Sequence, residues 1–292
     1  MRSLAIINQK GGVGKTTTAV HLAAGMARQG HRTLLVDLDP QSHASLHVGI
    51  QLEPGDPSVY GVLVHGDAIP DVAHTVAENL TLLPANIDLV GAELELRESE
   101  RREQRLAEAF AAVRDQFDVC VIDCPPSLGL LTVNALTAVN DLVIPLQAHF
   151  LALQGLGRLL ETVTLVREGI NPELRVTAIT FSMFEKGTRL AQEILDDVTQ
   201  FVAAAEPGSA WRDALVCMTY VRRNIKLAEC PSFGQTVFDY APDSHGAEDY
   251  AALTREIAAQ LFPAQSATAP QPASASKSDV PPMPADATPE SS

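Results

Sequence analysis

The stretch Gln9-Lys10-Gly11-Gly12-Val13-Gly14-Lys15-Thr16-Thr17 leaves this chain few folds to choose from. Before it runs the apolar Leu4-Ala5-Ile6-Ile7, a short strand. After it, Ala19, Val20, Leu22, Ala23 and Met26 recur at helical spacing. The order is therefore strand, glycine loop, helix N-terminus. Glycines let the backbone bend tightly and turn its N–H groups onto phosphate oxygens. The unpaired N–H groups and positive dipole end of the helix add to that anion site. Gly11, Gly12, Val13, Gly14, Lys15, Thr16 and Thr17 form the expected cradle. Lys15 would reach the β- and γ-phosphates of a nucleotide, and the Thr16 hydroxyl would bind Mg²⁺. The spacing Gly-x-x-x-x-Gly-Lys-Thr is met except at its first position, Gln9. A second lysine, Lys10, stands five residues before Lys15.

Two more apolar runs end in carboxylates. Thr33-Leu34-Leu35-Val36 leads to Asp37-Leu38-Asp39-Pro40-Gln41, and Val119-Cys120-Val121-Ile122 leads to Asp123-Cys124-Pro125-Pro126-Ser127. Acidic residues at the C-terminal edge of parallel strands sit where such sheets bind ligands. Asp123 beside the glycine loop is positioned to hold Mg²⁺, which prefers hard oxygen ligands. Further strands are expected at 80–85, 141–146, 174–180 and 215–220. Helices are expected at 59–63, 151–166, 189–202 and 246–261, with a charged helix over 97–114. In that helix Arg97, Arg101, Arg102 and Arg105 alternate with acids, the pattern of a solvated face. Alternating strands and helices predict a doubly wound, mostly parallel α/β sheet with helices on both faces.

The glycine loop with its early lysine, together with the Asp-x-Asp-Pro-Gln and Asp-Cys-Pro-Pro-Ser strings, resembles the ParA/MinD family of deviant P-loop ATPases. The likeness extends over about residues 1–262, the expected ATPase domain. It implies ATP and Mg²⁺ as cofactors and an ATP-sandwiched homodimer in which Lys10 touches the partner's nucleotide. It also implies that Asp39 orients or deprotonates the attacking water, that Asp37 supports the metal shell, and that Asn224 contacts the base. The stretch Val221-Arg222-Arg223-Asn224 resembles the family's adenine-side loop, though Arg222 stands where proline is common and Cys230 where alanine is. Gly187 likewise stands in place of a usual arginine, with Lys186 and Arg189 nearby as substitutes.

Net charge is −15 over 292 residues, so contact with nucleic acid would need a local basic patch. Arg222, Arg223 and Lys226 are three cations with no acid in residues 214–228, which gives +3 there and makes them the candidate phosphate-backbone contacts. The resemblance implies non-specific binding to nucleoid DNA and a ParB-like or other cargo adaptor that stimulates hydrolysis. The alternatives are a MinD-like membrane-associated regulator and a small-molecule ATP-dependent enzyme on the same scaffold. The first would need a basic amphipathic helix near the C-terminus, where residues 263–292 offer only Lys277. For the second no substrate motif is found. Cys120, Cys124, Cys217 and Cys230 form no Cys-x-x-Cys pair, which speaks against an iron–sulfur protein and for reduced thiols. No apolar run approaches the length of a membrane span, and Met1-Arg2-Ser3 leads straight into a strand, so a cytoplasmic protein without membrane attachment is expected. With the glycine loop starting near residue 10, no helix-turn-helix domain is expected before it, and specific operator binding is not expected. From residue 263 on, Pro, Ala and Ser predominate and a disordered tail is expected.

Overall fold

A computed structural model describes residues 1–263. The expected Pro/Ala/Ser-rich tail lies, from residue 264, outside the described residues. Eight strands form one sheet: β1 (Arg2–Ile6), β2 (Thr33–Asp37), β3 (His74–Ala77), β4 (Leu80–Leu83), β5 (Val119–Asp123), β6 (Asp141–Leu146), β7 (Arg175–Phe181) and β8 (Leu215–Val216). Their order across the sheet is β3-β4-β2-β5-β1-β6-β7-β8. Only the β3–β4 pair is antiparallel. The doubly wound, mostly parallel architecture expected from the alternation of elements is present.

Central strands bury every side chain, because helices cover both faces of a parallel sheet. Side chains alternate between the two faces with a period of two. Leu34, Val36, Cys120 and Ile122 enter one core, while Leu4, Ile6, Leu35 and Val121 enter the other. The second core is closed by α1 (Lys15–Arg28) and by the helix His245–Leu261. These two helices cross tightly at Gly25, where a methyl group would lie 2.4 Å from the Thr254 hydroxyl and 2.9 Å from its methyl. Thr254 is fully buried and its hydroxyl donates to Tyr250 O at 2.7 Å, so it cannot move aside cheaply. Gly25→Ala should therefore destabilise the chain by about 1–3 kcal/mol through overpacking, less the helix propensity gained. Urea unfolding will show the loss, and Thr254→Ala in the same chain should restore most of it.

Two expected elements differ. The charged helix over 97–114 is a 3₁₀ turn, Leu96–Glu98, followed by bends and then a helix, Arg105–Val113. The buried Asn134 carboxamide sets that break. Its oxygen accepts from Leu106 N (3.2 Å), and its nitrogen donates to Arg102 O (2.8 Å), capping the helix from across the fold. Arg105 then turns inward and donates to Leu63 O at 2.9 Å. The strand expected over 215–220 stops after Val216. The Glu256 carboxylate takes the Met218 and Thr219 N–H groups (2.7 and 2.9 Å) and removes them from the ladder.

Candidate nucleotide site

β5 lies between β1 and β2, in a register that puts Asp123 level with both Ile6 and Asp37. The glycine loop leaves β1 at that same level, so three strand ends converge on one sheet edge. Sequence order reverses on either side of β1, and open α/β sheets bind ligands at such points. Gly12 and Gly14 adopt φ of 74° and 83°, which L side chains disfavour. The loop is pinned from β6 and β7. Ser182 donates to Val13 O (2.6 Å), Gln147 donates to Gly12 O (3.0 Å), and Asn8 ties the loop's entry to Pro145 O (2.8 Å). Thr18 N–H is paired with Gly14 O, while the amides of the first helical turn before it have no intrahelical acceptor. Two loop carbonyls are thus held away while the amides stay free, as an anion requires.

The cleft over this loop, about 680 Å³, is lined by Gly11, Gly12, Gly14, Lys15, Thr16, Thr17, Asp39 and Pro125-Pro126-Ser127, among others. Lys15 is nearly buried, and its Nζ donates to Lys10 O at 3.2 Å. Burial lowers its pKa, opposed by Asp123 and Asp39. Asp123 is fully buried, and neither of its oxygens has a hydrogen-bond partner among the described residues. Burial first, then the charges of Asp37 and Asp39, push its pKa well above the carboxylate range, with Thr16 and Lys15 opposing. An unpaired buried carboxylate beside a threonine hydroxyl fits a hard cation such as Mg²⁺, which would supply the missing charge.

Asp37 is differently engaged. Its carboxylate accepts from Ser45 N (2.8 Å), Ser45 Oγ (2.7 Å) and Asp39 N (3.2 Å), and burial raises its pKa to about 6. Those three bonds hold the loop that carries Asp39 and suit support of a cation from behind Asp123. Asp39 is half-buried and accepts from Gln41 N at 2.9 Å, leaving its carboxylate open to the cleft. Lys10 is exposed, with its ammonium against His149 Nε2 at the end of β6. Apolar Phe150 (84% exposed), Val90 (62%) and Leu94 (68%) lie on the surface as well, and Val90 lines the same cleft.

A second recess, about 350 Å³, shares Gly14, Thr17 and Met183 with the first and is walled by Val221, Asn224, Ile225, Leu227 and Tyr250. Its apolar walls and its continuity with the glycine loop suit a base and ribose. Asn224 caps the short helix Ile225–Glu229, accepting from Lys226 N at 2.8 Å.

The basic window changes most from its sequence reading. The +3 counted over 214–228 is offset by acids that fold against it. Arg222 pairs with Asp249 (2.6 Å) and Glu248 (2.7 Å), Lys226 with Glu229 (2.8 Å), and Arg223 with Glu185 (3.8 Å). Arg222 is thereby a structural cation. Arg223, 72% exposed with the longest contact, keeps the most available charge, and Lys186 follows directly on Glu185 in the chain. The residues that the sequence reading did not single out are Ser182, Gln147 and Ser45. Each is an ordinary polar residue whose partner lies on another element.

Residues 1–176 match the family described as AAA domain. Sporulation initiation inhibitor protein Soj of Bacillus subtilis is 44% identical over 257 residues, covering 88% of this chain and 98% of Soj. Chromosome partitioning protein ParA of Myxococcus xanthus is 42% identical over 257 residues, covering 88% of this chain and 87% of that protein. Among solved structures, cobyrinic acid a,c-diamide synthase from Mycobacterium smegmatis with bound ADP and magnesium superposes with a TM-score of 0.75 at 35% identity. That match covers 89% of this chain and 94% of the synthase.

Proposed function

The chain belongs to the ParA/MinD family of P-loop ATPases, and from that premise we propose that it partitions DNA or another large cargo by ATP-driven pairing on non-specific DNA. It is an ATPase that uses ATP with Mg²⁺. The observation that carries the reading is the unpartnered Asp123 carboxylate beside the glycine loop, on a chain that aligns with Soj over nearly its full length.

In this reading the loop amides of residues 11–17 and the Lys15 ammonium take the phosphates. Thr16 and Asp123 would hold Mg²⁺, whose charge would offset that of the phosphates. Asp37 keeps the Asp39 loop in place, and Asp39 orients the attacking water. Asn224 and the apolar second recess receive the base. Lys10 is exposed against His149, and the next residue, Phe150, is an apolar surface group that a second copy would cover. Pairing there would bring Lys10 to the partner's nucleotide, and a ParB-like or other adaptor would speed hydrolysis and release. Among the described residues no helix is long and apolar enough to cross a membrane.

DNA contact follows from the pairing. One weak cationic surface binds poorly, but two on a rigid dimer gain effective concentration. Arg223, whose contact with Glu185 is the longest, is with Lys186 the most available charge of that surface, while Lys226 spends its own on Glu229 and Arg189 its own on Glu193. A gel shift on two unrelated duplexes should appear only with ATP and fade steeply as salt rises. Arg223→Glu should abolish it while dimerisation persists, and Lys226→Glu should weaken it less. No ATP-dependent shift of the parent protein at low salt would remove DNA from the proposal.

A further inference from the structure

Behind the nucleotide site, three side chains of metal-ligating type converge in the interior. His21 lies on α1, His47 is the last residue of the helix His43–His47 (α2), and Cys230 opens the 3₁₀ turn Cys230–Phe233. All three are buried. Cys230 Sγ lies 3.4 Å from His47 Nε2 and 4.0 Å from His21 Nε2, and one ligand atom from each residue falls within 4.8 Å of the others. Zinc binds thiolate at about 2.3 Å and imidazole at about 2.0–2.1 Å, so ligands sharing one ion stand roughly 3.3–3.8 Å apart. The Cys230–His47 edge already has that length, and the other two, of 4.0 Å and at most 4.8 Å, would close by up to about 1 Å around an ion.

A second observation concerns ring orientation. His21 Nδ1 sits 2.7 Å from Thr17 O, which fixes the proton there and leaves the Nε2 lone pair unprotonated, accepting from Val237 N–H at 2.9 Å with the sulfur 4.0 Å away. Ligating histidines are held in this way, with the far nitrogen on a backbone carbonyl. Burial keeps both rings neutral, the state that ligates, with pKa values lowered to about 4 for His21 and about 3 for His47. Tyr250 stacks on His21 at 4.7 Å, and Phe238 meets its edge at 5.9 Å.

We propose that His21, His47 and Cys230 form a buried three-ligand site for one zinc ion, with water in the fourth position. On binding, the Cys230 S–H bond gives way to a thiolate–zinc bond and the proton leaves to solvent. The Val237 N–H, which donates to His21 Nε2 at 2.9 Å, must let go of that lone pair. The ion would clamp the helix of the glycine loop to the helix that follows Asp39 and to the turn beyond Asn224. It is a site separate from that of Mg²⁺, built of nitrogen and sulfur rather than oxygen, and so selects a borderline-soft cation.

The test is metal titration of the reduced, chelator-treated full-length chain. Co²⁺ should bind at one equivalent and give a thiolate-to-cobalt charge-transfer band with the intense visible bands of a four-coordinate site. Zn²⁺ should bleach those bands and raise the melting temperature. Cys230→Ala and, independently, His47→Ala should lose both signals, while Asp123→Asn keeps them. Where an alanine variant fails to fold, Cys230→Ser replaces it, and the charge-transfer band alone is read. Absence of that band in the parent chain, or its survival without Cys230, overturns the proposal.

Discussion

Lys15→Ala is expected to bind ATP–Mg²⁺ at least a hundred-fold more weakly than the parent chain, with no loss of fold. The lysine would place charge-assisted hydrogen bonds on two phosphates, each worth about 1.5–3 kcal/mol, and their joint removal is about 3–6 kcal/mol. Without nucleotide the picture reverses. The ammonium is then buried, meets Lys10 O at 3.2 Å, and has its pKa lowered by desolvation more than its neighbouring carboxylates restore. Its loss therefore costs the empty protein little. Two measurements separate the effects. Isothermal titration reads the affinity directly. Thermal unfolding should give near-equal midpoints without nucleotide, while at a hundred-fold excess over its dissociation constant ATP adds about 2.7 kcal/mol to the parent alone. Parent-like affinity in the variant would remove the glycine loop from nucleotide binding.

Local chemistry is what the sequence displays best. The glycine loop is legible because its work is done by backbone conformation at Gly12 and Gly14 and by a lysine at fixed spacing from them. Asp123 is legible because a carboxylate at the end of an apolar run in a parallel sheet has one edge to occupy. Groups acting across the fold are not legible. Ser182 holds Val13 from 169 residues away, and Asn134 breaks the charged segment from 32. No periodicity carries such pairings. The basic window shows the same limit from the other side. Its three cations fall within five residues of sequence, but two of their four partner acids, Glu248 and Asp249, arrive on a helix 26 and 27 residues after Arg222. A charge tally over a window measures the surface only where no other element packs on it. The grouping of His21, His47 and Cys230 is likewise not legible: Cys230 stands out in sequence only as a thiol in place of alanine, and each of the three lies on a different element.

Asp39→Ala should keep ATP binding within a few-fold of the parent and lose turnover by about 10²–10⁴. Binding survives because the loop amides, Lys15 and Thr16 remain, and because Asp39 raises the pKa of both Asp123 and Asp37. Removing that charge makes both buried carboxylates easier to ionise, which favours the cation. Structural cost is small as well. The one hydrogen bond lost is from the exposed Gln41 N–H, which water can take over. Turnover fails because the half-buried carboxylate facing the cleft is the group left to orient water there. Asp37 cannot replace it while Ser45 and Asp39 N–H hold its oxygens. With hydrolysis blocked, the proposed ATP-bound pair would have no exit, so the variant should elute as a dimer with ATP and as a monomer with ADP. Asp39→Asn distinguishes the two parts of the role. It keeps an acceptor for Gln41 N–H but has no basic carboxylate, so a rate as low as that of the alanine variant assigns the loss to chemistry rather than to the loop. Turnover at the parent rate in Asp39→Ala would move the water-orienting role to another side chain of the cleft, with Gln41 and His43 the nearest in the chain.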